Sequence, residues 1–589
     1  MINKLIVSGV YAVGIFLFLL LCHPELLTYY EQYQLFLFNA DYLCERLSVA
    51  GGVADYISEF LVQFCYIPFA GAMVLTLVFV VLQMLMSRLL CRISSCEVGY
   101  PLSLVPGILL LGYMGDENVM PSFVVAIVLM LLAVWGVLCV RPPKRFFAEV
   151  VVVPLLYWCA GPVVFCYVAL MMICDESDNV FSLRKVLFCI LRALYSILVV
   201  WLAYRFILTQ YVANDVWMGI NYHRGRMTYP VMQFVVQGAI VVIPLLARLL
   251  IFVHVKFLGV IMSTLFLVGG YFFVTSNYNR DKFAMIYFNA CVRHEQWNDI
   301  IRRAEKYMPQ SDLASNCVNL ALAKTGALGD RMFEFYQCGA DGLFLKFSRN
   351  MVSCLPTAEA YYQLGMVNEA LRCFFDSQES ILNCYKSGYI TRRIAELYIV
   401  NGDYKIARKY LVQLRETFFY SKWAEEMLSL LGNEKAIEAH PSLGRLRKSR
   451  YDVNFFFNPD VNFMLAALWT RNKQNTLAFD YLVGHILLTC DMKAFYNVAP
   501  ELNKIGFSRL PRHYREVVAM FQMNELSLGE GLEPDLGTLK EAKDFNTAYL
   551  MASDRKKMLK SKWKDTFWTY CLVTYPSLNV STGATRIKQ

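Results

Sequence analysis

The sequence predicts an all-α protein, with a polytopic transmembrane helical domain followed by an α-solenoid of stacked helix pairs. Three observations carry this reading. Apolar runs of about twenty residues, the length a helix needs to cross the hydrocarbon core, recur through the first half. Charged residues are sparse up to position 279 and dense beyond it. After residue 280 apolar residues recur at helical spacing between short turns containing Gly or Asn, with hardly any strand-like alternation.

The first two runs, 5–22 and 61–86, bracket an acidic, aromatic loop at 23–60. That loop carries Glu25, Glu31, Asp41, Glu45, Asp55 and Glu59 against Arg46 alone, whereas Lys4 precedes the first run and Arg88 and Arg92 follow the second. Positive charge marks cytoplasmic loops, so the loop lies outside and the N-terminus inside. No small-residue cleavage site follows the first run, where the chain continues His23-Pro24-Glu25, so the run reads as a retained anchor.

A third run (101–114) and a fourth (122–140) flank the tip Gly115-Asp116-Glu117-Asn118, and Arg141, Lys144 and Arg145 follow as a cytoplasmic signal. The fifth run, 150–174, contains Pro154 and Gly161-Pro162, which should kink it, and ends at Asp175, Glu176 and Asp178. Runs at 186–208, 231–253 and 257–275 bring the total to about eight in a domain ending at 277. In these last runs the basic groups at Arg184-Lys185, His223-Arg224-Gly225-Arg226 and Arg248/His254/Lys256 cannot all be cytoplasmic if every run crosses once. Eight single crossings would put the second half in the cytoplasm, and one re-entrant segment would invert it. Arg192 and Arg248 inside apolar runs cost about 2.5–3.5 kcal/mol on insertion scales unless paired or able to reach an interface. Structural pairing, snorkelling and binding of a lipid phosphate are the readings open to them.

The soluble half carries most of the net +9 charge, spread over many helices without the aromatic-basic array of a nucleic-acid surface. The 18 cysteines are scattered and read as small buried hydrophobes rather than metal ligands. The clearest unit runs Arg393-Ile394-Ala395-Glu396-Leu397-Tyr398, Asn401-Gly402-Asp403-Tyr404, Ala407 and Leu411. A second copy is Ala358, Tyr361, Gly365, Val367, Ala370 and Phe374, with degenerate copies around Gly326 and Glu295. These turns are spaced near the roughly 34-residue period of tetratricopeptide repeats, which the pattern resembles. The resemblance implies tetratricopeptide-like repeats over 278–432 and a partner peptide in a concave groove. Further helical pairs and a cap, to which Trp568 or Tyr570 contributes, are expected over 433–575, with a basic connector at 440–459 and a disordered tail at 576–589.

No GxxxxGK[ST], HExxH or nucleophile elbow is present, and the seven histidines lack ligand spacing. Chemistry is therefore expected at the outer face of the membrane domain. An acid just after the first crossing, a long loop with amphipathic helices (35–47 and 53–64) and a second acidic tip resemble the GT-C-type glycosyltransferases that use polyprenyl-phosphate sugars. That resemblance implies catalytic roles for Glu31, as base or metal-assisted orienter, and for Asp116 or Glu117; Arg192, Arg224 and Arg226 are phosphate partners if the sixth and seventh crossings put them on that face, and the sequence shows no metal ligand set. The chain departs from the family in lacking an Asp-Asp pair and in its low crossing count. As a whole it also resembles bacterial multi-pass membrane proteins with a helical-repeat tail, for which the resemblance supplies no activity. Two functions follow: a transferase of the bacterial inner membrane acting on a lipid-linked sugar, or a non-enzymatic membrane scaffold recruiting a protein partner through its repeats.

Overall fold

A computed structural model describes residues 2–94, 96–174, 183–224, 230–249, 258–346, 348, 353–382, 385–451, 460–505, 507, 509–529 and 531–578. Among these the chain is helical and contains no strand, and Val119 and His223 form an isolated antiparallel bridge. It divides into two units. The first is Met1–Phe283 with Leu382–Tyr389 and Val412–Glu425; the second holds Ala284–Ile381, Ile390–Leu411 and Glu426–Gln589.

The first unit contains α1 (Ile2–Leu17), α2 (Pro24–Gln32), α3 (Ala40–Leu47), α4 (Gly52–Val62), α5 (Pro68–Ile93), α6 (Cys96–Leu102) and α7 (Val105–Tyr113). There follow α8 (Pro121–Leu138), α9 (Pro142–Ala160), α10 (Val164–Cys174), α11 (Leu183–Phe206), α12 (Ala213–Met218), α13 (Val231–Leu249) and α14 (Leu258–Asn277). Among the described residues six helices are long and apolar enough to cross a membrane: α1 with its extension to Cys22, α5, α8, α11, α13 and α14. Their outward faces are apolar, with Leu5, Leu77, Leu198 and Leu265 all largely exposed. Hydrocarbon is the solvent such faces suit.

The third and fifth apolar runs are broken. The third is split between α6 and α7, and the fifth reverses direction at Gly161-Pro162. Gly161 sits at φ +79°, a conformation that L side chains rarely adopt, and Pro162 has no N–H to continue the ladder. Trp158 O accepts from Gly51 N (2.8 Å), and Tyr222 Oη donates to Ala160 O, which fixes the end of α9 beside the 23–60 loop. From there α10 runs back along α13, with Cys166 beside Gln237 and Ile173 O accepting from Arg248 Nη1 (3.2 Å). The expected kink is thus a hairpin. Meanwhile α14 runs parallel to α7: Gly270 meets Ile108 and Gly112 meets Phe273. The ring of Tyr278 just beyond α14 lies 4.4 Å from that of His23. The chain therefore leaves α14 at the end of the bundle that carries α2, α3 and α4.

In the second unit helices pair across tight turns: Cys354–Leu364 with Val367–Glu379, and Val461–Arg471 with Thr476–Leu488. The turn positions Glu295, Gly326, Gly365 and Gly402 all adopt positive φ (54°, 71°, 85° and 85°). This left-handed cap ends a helix, which is why glycine holds three of the four. The basic stretch expected as a connector contains a helix, Pro441–Ser449, capped by His440 Nδ1 accepting from Leu443 N, while 452–459 lie outside the described residues. Trp568 and Tyr570 are buried and donate to Glu516 O (2.9 Å) and Leu488 O (2.8 Å). Of the expected tail, 579–589 lie outside the described residues.

Ala395 and Ala407 are fully buried. Ala407→Leu is expected to destabilise the chain by about 1–3 kcal/mol through overpacking. Denaturant unfolding of the full chain in detergent checks this, and an unchanged midpoint would mean that the position tolerates a larger side chain.

Candidate functional site

The strap 219–224 ties the membrane unit's loops together side chain by side chain. Asn221 Nδ2 donates to Asp55 Oδ2 (3.2 Å), and Asn221 O accepts from Ser122 Oγ. Tyr222 O accepts from Met120 N (2.9 Å), and Arg224 N donates to Asn118 O (2.8 Å). These backbone bonds hold residues 221–224 antiparallel to 118–122, so His223 and Arg224 lie beside the acidic tip.

There His223 Nε2 is 2.9 Å from Asp116 Oδ2, and Asn118 N donates to Asp116 Oδ1 (3.0 Å). Glu117 is ion-paired with Lys282 at 2.7 Å. Partial burial pushes the Asp116 carboxyl up, but hydrogen bonds from His223 and the Asn118 N–H, with the charges of His223 and Lys282, hold it below the usual carboxylate range. The Arg224 side chain is 2% exposed and lies 5.5 and 5.3 Å from the ring centres of Tyr29 and Tyr33. Tyr29 lies on α2 and Tyr33 caps its C-terminal end, and their rings pack together with centres 4.9 Å apart. Both terminal guanidinium nitrogens, Nη1 and Nη2, are buried and make no well-formed hydrogen bond among the described residues, with the Tyr29 hydroxyl acting on the guanidinium.

Glu31 lies midway between Tyr29 and Tyr33 in sequence and so projects from the other side of α2. Its buried carboxylate accepts from Tyr420 Oη (2.7 Å), beside a recess of about 20 Å³ lined by Gln34, Phe36, Gln63 and Thr417. Asp116, Glu117 and Arg224 are therefore brought together, and Glu31 stands apart from them. Arg192 is elsewhere, buried and paired with Glu149 at 2.6 Å. Arg226 lies outside the described residues. Arg248 donates to a helix-end carbonyl.

Sequence reasoning did not single out Asp55 and Glu59, both fully buried. Tyr385 Oη donates to Asp55 Oδ2 (2.6 Å), while Tyr42 Oη and Arg46 Nε (3.1 Å) donate to Glu59 Oε2. The available signal was Arg46, the lone cation in a loop of acids. No group of three or more metal-ligating side chains occurs among the described residues.

No curated protein and no solved structure matches the chain. A family profile matches residues 1–574, and the chain belongs to that family, a family of unknown function (DUF6057).

Proposed function

We propose that this multi-pass membrane protein binds a polyprenyl-phosphate sugar at the Asp116–Glu117–His223–Arg224–Lys282 cluster and acts as a GT-C-like transferase of the bacterial inner membrane. The observation that carries this reading is Arg224, a buried guanidinium beside the second-loop acids whose two terminal nitrogens make no well-formed hydrogen bond among the described residues. Phosphate oxygens are the acceptors that suit such a fork. Asp116 or Glu117 would then activate the acceptor hydroxyl or orient the leaving group. Charge asymmetry around the first two crossings puts α2–α4 outside and the N-terminus in the cytoplasm. Because α14 ends beside those helices, residues 278–283 leave the bundle on that outer side, with the later helix pairs read as tetratricopeptide-like repeats that hold a protein partner.

The test is binding of undecaprenyl phosphate to the full chain in nanodiscs. Arg224→Gln is expected to weaken saturable binding by about tenfold or more, the loss of a charge-assisted hydrogen bond. Asp116→Asn with Glu117→Gln should leave binding intact and abolish transfer of the lipid-linked sugar. Equal affinity in wild type and Arg224→Gln would overturn the anion site.

A second reading, the non-enzymatic scaffold, draws support from Glu31: held by Tyr420 on the far face of α2, it does not meet Asp116. Transfer that survives both acid substitutions would favour the scaffold.

A further inference from the structure

We propose that Asp55 and Glu59 form a proton-binding site, in which the two carboxyls retain protons in the folded protein above the ordinary carboxylate range and the stepwise loss of those protons loosens the hold of α4 on the segment 385–389. This site is separate from the Arg224 cluster and shares with it only the 219–224 strap.

Asp55 and Glu59 stand one turn apart on α4, on one face, and both are fully buried. Every donor reaches a single oxygen of each. Asp55 Oδ2 accepts from Tyr385 Oη and Asn221 Nδ2, and Glu59 Oε2 accepts from Tyr42 Oη and Arg46 Nε. Asp55 Oδ1 and Glu59 Oε1 are buried without a hydrogen-bond partner among the described residues. Arg46 is the one cation paired with either carboxyl there, and it is shared with exposed Glu45 at 3.6 Å.

Among the described residues the neighbouring elements bring no second cation into contact with either carboxyl, although the strap carries His223 and Arg224 and the segment 385–389 carries Lys386. Tyr42 and Arg46 come from α3, Tyr385 from 385–389 and Asn221 from the strap, while α8 has no ionisable side chain. The nearby ends of α2, α9 and the turn Gln63–Tyr66 add Glu31, Tyr157, Cys159 and Cys65 as titratable groups. Ionising both carboxyls would set two buried negative charges against one shared positive charge. Desolvation makes such an excess charge costly, and retaining a proton removes it. The retained proton also turns one orphan oxygen into a hydroxyl donor.

Burial, opposed by Arg46, raises Asp55 to about 6, and burial with the charge of Asp55 raises Glu59 well above the ordinary carboxylate range. The two titrate as a unit. Since the folded pair holds its proton more tightly than the unfolded chain does, its contribution to stability is full at low pH. That contribution is lost as pH rises through about 6 and then as the second carboxyl ionises.

Infrared difference spectra of the full chain in nanodiscs provide the direct test. We expect a protonated carboxylic C=O band that persists above the ordinary carboxylate range and is lost in Asp55→Asn or Glu59→Gln. The unfolding temperature of wild type should fall between about pH 5 and about pH 8, and this slope should flatten in either variant. Hydrogen exchange at 385–389 should rise with pH in wild type alone. No such band in the wild-type protein, or an undiminished slope in both variants, would overturn the proton site; because burial also raises Asp480 to about 7, the band is assigned by its loss in Asp55→Asn or Glu59→Gln, and its absence from wild type overturns the site even if a variant fails to fold.

Discussion

Replacing Arg393 with methionine is expected to cost about 3–5 kcal/mol of stability, because it removes the bidentate cation from buried Glu359 and leaves buried Glu396 with Arg392 alone as its paired cation. Arg393 grips Glu359 with Nε and Nη2 (3.0 and 3.2 Å) and Glu396 with Nη1 (2.9 Å). Its guanidinium lies 4.0 Å from the ring centre of Tyr362, whose hydroxyl donates to Glu396 Oε2 (2.9 Å). The two carboxylates are 1% and 3% exposed, so water cannot replace the lost partner. Lysine should rescue little, since a single ammonium cannot reproduce the bidentate fork or the stacking. The sign of the pH dependence follows as well. Burial pushes Glu396 up, but Arg393 and Arg392 outweigh it and hold the carboxyl below its ordinary value. Its contribution is therefore present at neutral pH and lost in acid, as pH falls through the depressed value. In Arg393→Met that acid sensitivity should weaken, since Arg392 and the Tyr362 hydroxyl remain on Glu396. Denaturant unfolding of the full chain across pH measures both effects, and a loss below about 1 kcal/mol would mean that the network is solvated, as surface pairs are.

The same network shows where the sequence was informative. Arg393, Glu396, Gly402 and Ala407 were legible as one helix pair because small residues, a turn glycine and helical spacing are local signals. Even Glu295, which lacks glycine's freedom, was placed correctly as a turn by its spacing from the clearer copies, and it adopts φ 54°. The apolar helices were legible from length and composition. What the sequence could not settle was non-local. Gly161-Pro162 marks a break, but whether the chain bends or reverses there depends on Trp158 O meeting Gly51 N and Tyr222 Oη meeting Ala160 O. Asp116 and Arg224 were chosen by residue type and charge. Their meeting depends on the strap pairing with 118–122, which neither local stretch announces. Asp55 and Glu59 were read only as charges that orient the loop, since nothing near them in the chain indicates that Tyr385 and Asn221 would be packed against Asp55. Glu31 was chosen for its place in the first loop, yet helical periodicity turns it away from the face that carries Tyr29 and Tyr33.

Arg192→Met is expected to destabilise the membrane unit, again by about 3–5 kcal/mol, because it takes from buried Glu149 the cation that meets it at 2.6 Å. Arg192 on α11 and Glu149 on α9 meet at 2.6 Å, with side chains 9% and 5% exposed. Tyr195, one turn further along α11, donates to Val150 O (2.7 Å) and holds the two helices in that register. A buried ion pair can often be exchanged for apolar side chains of similar volume without loss, whereas removing one member cannot be compensated. The double variant Arg192→Met with Glu149→Leu should therefore recover most of the lost stability, so that the coupling energy in the cycle exceeds the amount recovered. The cycle also separates the two roles open to this arginine. If it serves helix pairing, the recovered double variant will bind undecaprenyl phosphate as wild type does, while Arg224→Gln will not. A double variant that folds normally but loses binding would make Arg192 a phosphate ligand and move the anion site away from the strap.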